Sequence, residues 1–258
     1  ALDLLNSPNL ADAIAATDAD LVINPAAYTA VDKAETEADT AHQINAIAAG
    51  EIAKGAAKIG AAIIHLSTDY VFDGSASRSY REDDPTAPLG VYGQTKRHGE
   101  IAVMESNDRH LIVRTAWVYS PYGANFVKSM LKLGSEREEL SIVDDQIGNP
   151  TSADDLAQAL LQLSSQVCSK PDSATFGIYH AVGRGCASWC DVARAVFEDA
   201  TVHGFKAPTV KAISTDQYPT PARRPANSRL DTSKIEADYN IRLPNWRGSI
   251  TRTVDALL

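Results

Sequence analysis

Tyr92 and Lys96 are the residues of this chain whose types and spacing most directly indicate catalysis. Residues four apart on a helix lie on one face, so the phenol and the ammonium group share one space. A phenol with an ordinary pKa of about 10 transfers protons poorly at neutral pH. A cation about 4 Å away, at an effective dielectric constant of about 20, contributes on the order of 4 kcal/mol, or roughly three pKa units. The pair predicts a proton-transferring tyrosine, although such pairs also arise by chance in many helices.

Small and hydroxylated residues follow two predicted strands, where open α/β sheets place their active sites. Ser67 and Thr68 follow one strand, and a hydroxyl there can hydrogen-bond the carbonyl oxygen that Tyr92 protonates. Ala26 and Ala27 follow the other strand, and small side chains let a flat ligand approach the backbone. An ordinary turn and an ordinary strand exit are the alternative interpretations.

Arg223, Arg224 and Arg229 form the one concentrated basic segment of an acidic sequence. Guanidinium groups bind phosphates in a bidentate manner, so the segment predicts a phosphate contact. A solvated surface or a subunit contact remains the alternative. Trp117, just past a strand, is suited to stacking on a sugar or a base, although packing in the core is the commoner role of tryptophan.

The elements that position these residues alternate short apolar strands with longer helices, the pattern of parallel βαβ units. Predicted strands cover residues 20–24, 61–66, 110–116, 140–143 and 177–182. Predicted helices begin at Ser7-Pro8 and near residues 35, 91, 125, 153, 188, 232 and 247, and the second of them extends to Ile59. The pattern predicts an α/β fold, a Rossmann-like doubly wound parallel sheet, with a smaller substrate-binding lobe.

The beginning of the sequence lacks the strand, glycine-rich turn and helix with which a Rossmann-type fold opens. The first glycine is Gly50, within a predicted helix. We therefore expect a βαβ unit of roughly 30 residues to precede this sequence.

Composition excludes several classes of function. The chain has 258 residues and a formal net charge of −9, with no Lys/Arg-rich run, which argues against a nucleic-acid partner. It contains no apolar stretch of about 18 residues, so we expect a cytoplasmic protein without a membrane partner. Three cysteines do not indicate a disulfide framework. No residues stand at convincing metal-ligand spacing, so no metal site is predicted from the residues themselves.

The ordered set of motifs resembles the dTDP-4-dehydrorhamnose reductases, extended members of the short-chain dehydrogenase/reductase superfamily. The resemblance spans almost the whole chain and rests on residues 22–35, 67–74, 91–96, 114–119, 145–151 and 223–225. It implies reduction of dTDP-4-dehydro-L-rhamnose to dTDP-L-rhamnose by NADPH or NADH, for bacterial surface polysaccharide. It leaves the choice between NADP and NAD open, because the discriminating loop precedes this sequence.

The resemblance also implies roles for individual residues. Tyr92 is the proton donor to the C4 keto oxygen, Lys96 lowers its pKa and binds the nicotinamide ribose, and Thr68 tunes the tyrosine and contacts substrate. The residues expected to line the cofactor are Ala26, Ala27, Tyr28, Thr29 and Leu66, together with Tyr92 and Lys96. The residues expected to face the nucleotide-sugar are Val31, Thr68, Asp69 and Trp117, with Arg223 and Arg224 as phosphate contacts.

Some members of the family carry Mg²⁺ at a dimer contact, and Asp154 lies near the corresponding acidic position. A homodimer is left open. The expected dinucleotide-binding domain covers residues 1–118 and 151–183, and the expected substrate-binding lobe covers 119–150 and 184–258.

Two other functions remain as alternatives within the superfamily. One is a non-catalytic regulatory subunit of the methionine adenosyltransferase type. The other is a nucleotide-sugar epimerase or dehydratase, although dehydratases place an acidic pair after the active-site threonine and this chain has Asp69-Tyr70. Together, Thr68, Tyr92 and Lys96 favour an enzyme over the regulatory subunit, and Asp69-Tyr70 fits a simple reductase better than a dehydratase.

Overall fold

The structure is a computed structural model that describes residues 2–5 and 9–258. The described strands are β1 Leu21–Asn24, β2 Ala62–Thr68, β3 His110–Thr115, β4 Val118–Tyr119, β5 Glu139–Val143, β6 Ile147–Gly148, β7 Thr151–Ser152, β8 Gly177–His180, β9 Ala187–Ser188 and β10 Thr209–Ile213. The described α-helices are α1 Leu10–Ala15, α2 Val31–Ala34, α3 Ala38–His42, α4 Ala48–Lys58, α5 Val91–Ser106, α6 Phe126–Glu136, α7 Ala153–Ser169, α8 Trp189–Val202, α9 Ser233–Tyr239 and α10 Trp246–Asp255. A π-helix spans Gln43–Ile47, and short 3-10 helices span Asp69–Val71, Pro171–Ser173 and Thr215–Gln217.

The central sheet has four parallel strands in the order β1-β2-β3-β8. Its strands are rich in β-branched residues, and Ile63, Ile64 and Ile112 are completely buried. A strand covered on both faces needs such a continuous apolar run, which explains why β2 shows no hydrophobic alternation. The predicted α/β class with a parallel sheet is confirmed.

Helix α4 covers one face of this sheet with small side chains. Ala49, Ala53 and Ala56 pack with Ile52 against the strand residue Ile63. The helix ends where Gly60 takes a φ of +71°, a conformation that costs glycine little. The alanine-rich face therefore lets the helix approach the sheet closely.

The single helix predicted from about residue 35 to Ile59 is wrong in its first half. The chain forms α3, then the π-helix Gln43–Ile47, and only then α4. The side chain of Asn45, within the π-helix, binds the backbone of Tyr28 and the hydroxyl of Thr95. A π-bulge commonly marks such a locally specialised site, and helical periodicity alone does not reveal it.

A second core lies among α6, α8, α10 and strand β5. Its completely buried members include Val127, Val196 and Ile250. Ser188 caps α8 and forms a capping box with Asp191, as its position before the helix predicts. Strand β10 pairs in parallel with β5 and lies in a segment for which no strand was predicted. The domain boundaries given above remain a prediction.

Two further differences concern the ends of elements. Strand β2 continues through Thr68, so Ser67 and Thr68 lie in the strand and not after it. The predicted helix start at Ser7-Pro8 lies outside the described residues, and α1 is described from Leu10. Among the helices of residues 2–5 and 9–258, none has the length and apolar character needed to cross a bilayer.

Candidate active site

The carboxyl ends of β1, β2 and β3 meet the first turns of α5 at one edge of the sheet. Strand pairing aligns Asn24 with His65, and Thr68 with Thr115. Helix α5 begins at Val91, whose backbone N–H donates to the Glu35 carboxylate at 2.9 Å. The predicted site residues Thr68, Tyr92 and Lys96 are thus brought to the same edge by the parallel topology.

Tyr92 lies in the first turn of α5 beside Thr68 and packs edge-on against Tyr70, with ring centroids 5.5 Å apart. The pKa of Tyr92 is raised to about 12, mainly by burial and to a smaller extent by the negative charge of Asp69. Hydrogen bonding with Thr68 acts in the opposite direction. The phenol therefore stays protonated at neutral pH and is available as a proton donor.

Lys96 is only 2% exposed, and its ammonium group points toward strand β2. Nζ donates to the carbonyl oxygen of Leu66 at 2.6 Å and lies 3.4 Å from Nε2 of His65. Burial lowers the pKa of Lys96 to about 8, while the charge of Glu100 opposes that shift. Nζ is thus directed at β2, and the lowering of the Tyr92 pKa by Lys96 stays a prediction.

Asp69 presents a buried carboxylate next to Thr68. Its Oδ1 accepts a hydrogen bond from the Thr68 hydroxyl at 2.9 Å, whereas its Oδ2 has no hydrogen-bond partner in the described residues. Burial raises the pKa of Asp69 to about 6, with Ser228 and Thr68 lowering it in part. A buried polar atom without a partner is costly, so this carboxylate fits a site where a ligand supplies a hydrogen-bond donor.

Trp117 adopts a backbone φ of +48°, which is rare for a bulky residue and typical of functional sites. Its ring stacks on Trp189 with centroids 3.7 Å apart and an angle of 5° between the planes. Gly148 lies against the same ring: an added Cβ would come within 2.5 Å of Trp117 and 2.7 Å of the Ser228 hydroxyl. Ser228 also lies close enough to Asp69 to lower the pKa of that carboxyl group. Trp117 and Asp69 therefore border one region.

The loop after β1 carries four of the predicted cofactor residues. Ala26 and Thr29 are exposed, and Ala27 and Tyr28 are partly buried. Asn45 fixes this loop by binding the Tyr28 N–H at 2.8 Å and the Tyr28 carbonyl at 3.2 Å. The exposed small side chains leave room for a flat ring beside the backbone.

The hydroxyl of Tyr28 donates to Glu37 at 2.5 Å, so its ring is tied to the loop itself. Leu66 is the one partly exposed residue of the otherwise buried β2, which fits a side chain that lines a ligand. Val31, at the start of α2, is also partly exposed. These residues fit a nicotinamide cofactor at the end of β1 and β2.

The arginines predicted to contact phosphate lie in different environments. Arg224 pairs with Asp32 at 2.8 Å and also donates to Thr220, so its charge is largely compensated within the protein. Arg229 binds Asn227 and the Ser77 carbonyl, where it fixes loops. Arg223 is exposed. As a phosphate contact, Arg223 fits better than Arg224, and the assignment of both remains a prediction.

Metal binding receives no support from side-chain clustering. In the part of the chain that the structure describes, no group of three or more His, Cys, Asp or Glu residues is placed to hold a metal ion. Asp154 is exposed on α7. Cys186 precedes α8 and is exposed, while Cys190 is buried within that helix.

Sequence analysis missed several residues that build this site. His65 and Glu100 are completely buried, and Glu100 accepts hydrogen bonds from Ser67 and Arg114. Trp189 supports Trp117 from a different part of the chain. The pairing of β1 with β2 was the signal that could have found His65, because it places this residue beside Asn24.

Comparisons with known proteins identify relatives of this chain. The family model described as "RmlD substrate binding domain" matches residues 1–258. The chain is 47% identical to dTDP-4-dehydrorhamnose reductase of Sinorhizobium fredii and 45% identical to that of Escherichia coli K12. Each match covers 99% of this chain, with 86% and 85% of the relative covered, respectively.

A solved dTDP-4-dehydrorhamnose reductase of Bacillus anthracis, in complex with NADP, has a similar structure. The TM-score is 0.90 at 36% identity, and the match covers 98% of this chain and 86% of that one. The corresponding protein of Clostridium acetobutylicum also gives a TM-score of 0.90, at 38% identity, over 99% of this chain and 87% of the other.

Proposed function

The chain belongs to the dTDP-4-dehydrorhamnose reductase family, and we propose that it reduces the C4 keto group of dTDP-4-dehydro-L-rhamnose to give dTDP-L-rhamnose. The reaction uses NADPH or NADH, and it is an oxidoreductase step of nucleotide-sugar biosynthesis for surface polysaccharide. The observation that carries the proposal is the placement of Tyr92 beside Thr68 at the end of β2, with the buried Lys96 one turn further along α5.

The cofactor, when bound, supplies the hydride that reaches C4 of the sugar. Tyr92 then delivers its proton to the oxygen that gains negative charge. Its phenol suits that step because, with a pKa of about 12, it is protonated before the reaction. Thr68 lies next to Tyr92 and supplies a hydroxyl that orients the carbonyl. The side chains of this edge thus provide proton and geometry.

Lys96 would hold the nicotinamide ribose through Nζ, and the loop of Ala26, Ala27, Tyr28 and Thr29 would line the cofactor with Leu66. The exposed small side chains and the partly exposed Leu66 support this assignment. With a pKa of about 8, the amine of Lys96 is able to exchange a proton near neutral pH.

The nucleotide-sugar would lie over Asp69, Val31 and Trp117. The Oδ2 atom of Asp69 would accept a hydrogen bond from a sugar hydroxyl, which supports its role as a substrate contact. Trp117 would offer an aromatic face held in place by Trp189. Arg223, and Arg224 after exchange of its Asp32 partner, would contact the diphosphate.

The test is to mix the full-length protein with NAD(P)H and dTDP-4-dehydro-L-rhamnose and to follow the absorbance of the reduced cofactor, which should fall. The expected product is dTDP-L-rhamnose, formed in a 1:1 ratio to cofactor oxidised and identified by chromatography. Running NADPH and NADH in parallel decides the cofactor preference. Absence of oxidation with both cofactors, in folded protein that binds them, would contradict the proposal.

Neither alternative function is favoured. A regulatory subunit has no need for Thr68, Tyr92 and Lys96 together at one sheet edge, and it would co-purify with a synthetase. A dehydratase would need a second acidic residue after the threonine, where this chain has Tyr70. Location in the cytoplasm, a homodimer and a role for Mg²⁺ stay predictions.

A further inference from the structure

A line of polar side chains leads from the loop after β1 to the ammonium group of Lys96. The Ala26 N–H donates to Oδ1 of Asn24 at 3.2 Å, and Nδ2 of Asn24 lies 3.1 Å from Nδ1 of His65. On the other side of the imidazole, Nε2 lies 3.4 Å from Nζ of Lys96. Asn24 is 4% exposed, His65 0% and Lys96 2%, so water does not share these contacts.

The donors and acceptors of this line determine where the imidazole carries its hydrogen. A backbone N–H can only donate, so the oxygen of the Asn24 amide faces Ala26 and the NH₂ group faces His65. That NH₂ group also only donates, so Nδ1 of His65 must be the acceptor and carries no hydrogen. Burial, and then the charge of Lys96, hold the pKa of His65 well below its ordinary value, so the ring is neutral. Its single hydrogen therefore lies on Nε2.

The Nε2 hydrogen points at a group that also carries hydrogens. An ammonium has three donors and no acceptor, so it cannot form a hydrogen bond with an Nε2–H group. The distances agree: Nζ lies 2.6 Å from the Leu66 carbonyl oxygen but 3.4 Å from Nε2. The imidazole thus directs Nζ to the Leu66 carbonyl and makes a positive charge on the amine less favourable.

Few other charged groups act on Lys96 from the elements packed around it. Glu100, one turn further along α5, favours the charged form. Its carboxylate is bound by Arg114 on β3 at 2.8 Å and by Arg97 at 3.0 Å, so its charge is already compensated. Tyr92 lies one turn before Lys96 on the same helix. His65 is the group from β2 that faces Nζ.

We propose that His65 is a positioning residue for Lys96: Asn24 fixes it as the Nε2–H tautomer, and that hydrogen sets where Nζ lies and how readily it takes a proton. His65 does not pass protons to solvent, because the ring is completely buried and both nitrogens face protein groups. The placement of the tautomer rests on the contacts of Asn24 and on the complete burial of the ring. Its consequence for catalysis rests on the proposed function.

The tautomer is tested directly by two-bond ¹H–¹⁵N correlation NMR on the ¹⁵N-labelled full-length protein, with the His65 signals assigned by their loss in His65→Gln. The expected result is an unprotonated Nδ1 and a protonated Nε2 at pH 7. In Asn24→Asp, a carboxylate would accept from both the Ala26 N–H and Nδ1, so the expected hydrogen moves to Nδ1. A wild-type ring with its hydrogen on Nδ1, or a charged ring, would overturn the proposal whether or not the protein is a reductase.

The consequence for Lys96 is tested by the pH dependence of kcat/KM. When Asn24→Asp moves the hydrogen to Nδ1, Nε2 becomes an acceptor for Nζ, and the new negative charge acts in the same direction. Both effects favour the charged amine, so the alkaline limb of the profile should move upward by about one pH unit or more. An inverted tautomer with an unmoved limb would show that His65 does not act on Lys96.

Two substitutions of His65 separate its two contacts. The amide of His65→Asn reaches the place of Nδ1 and keeps a partner for Asn24, whereas that of His65→Gln reaches the place of Nε2 and keeps a polar group facing Nζ of Lys96. We expect His65→Gln to retain kcat within about threefold and His65→Asn to lose about tenfold, with KM for the sugar nearly unchanged. The reverse order would mean that His65 only anchors β1 and would overturn the proposal.

His180→Gln is the matched control, because His180 is equally buried on the adjacent strand pair β3-β8 and does not contact Lys96. It should lower the melting temperature as the His65 variants do, yet leave the pH profile in place. A shift of the alkaline limb in this control would show that loss of any buried histidine causes the effect, which would also overturn the proposal.

Discussion

Asp69 is predicted to reduce the stability of the folded protein while serving its site. Its pKa is raised from 3.8 to about 6, with burial as the main cause. Between these values the folded state binds more protons than the unfolded state, so the free energy of unfolding falls as pH rises. Above pH 6 the cost is complete, and about two pKa units correspond to about 3 kcal/mol. Below pH 3.8 the cost disappears.

Asp69→Asn keeps the oxygen that the Thr68 hydroxyl contacts and removes the buried charge. We expect the variant to be more stable at pH 7 by up to about 3 kcal/mol, or roughly 6–12 °C in melting temperature for a chain of this size. The gain should shrink as pH falls from 7 to 4. The same variant should lose about tenfold or more in kcat/KM, because a neutral amide accepts a hydrogen bond less strongly.

The assay is urea unfolding of both proteins at several pH values, followed by circular dichroism. Asp155→Asn is the control of opposite sign, because Asp155 is buried but paired with Arg252 at 2.7 Å. Loss of that pair should destabilise the protein at pH 7. An Asp69→Asn variant that is less stable than the wild type at pH 7, or a gain that does not depend on pH, would refute the reasoning.

Three further predictions concern groups around the site. Lys96→Ala should lower kcat and also weaken NADPH binding measured by fluorescence titration; unaltered cofactor affinity would contradict the ribose contact. Trp189→Leu removes the ring that stacks on Trp117, so KM for the sugar nucleotide should rise severalfold while NADPH affinity is retained; an unchanged KM would contradict the support role. Glu100→Gln breaks a buried ion pair with Arg114, so urea unfolding should show a loss of about 3–5 kcal/mol, and a loss below about 1 kcal/mol would contradict it.

Most of the fold follows from patterns that act over short distances. Buried parallel strands such as β2 read as continuous apolar runs, and a capping residue such as Ser188 predicts the start of its helix. The break in the helix at Gln43–Ile47 was not predicted, because it depends on contacts between Asn45 and distant groups. Strand β10 was missed because its partner, β5, lies about 70 residues earlier.

The same distinction between local patterns and contacts with distant residues applies to the site. Tyr92, Lys96 and Thr68 were predicted because their types and spacing carry chemistry, and the parallel sheet brings them together. The direction of the Lys96 ammonium was not predictable, since it depends on a buried carbonyl and on His65 from another element. The engagement of Arg224 by Asp32 was hidden for the same reason, because 192 residues separate the two.

The central claim is that Tyr92 donates the proton, and the most direct test is Tyr92→Phe in the NADPH oxidation assay with dTDP-4-dehydro-L-rhamnose. The substitution removes the hydroxyl and keeps the ring that packs against Tyr70. We predict that kcat falls by about 10²–10⁴-fold while the dissociation constant of NADPH changes less than about twofold. Turnover close to that of the wild type, in a variant that binds NADPH normally, would contradict the account.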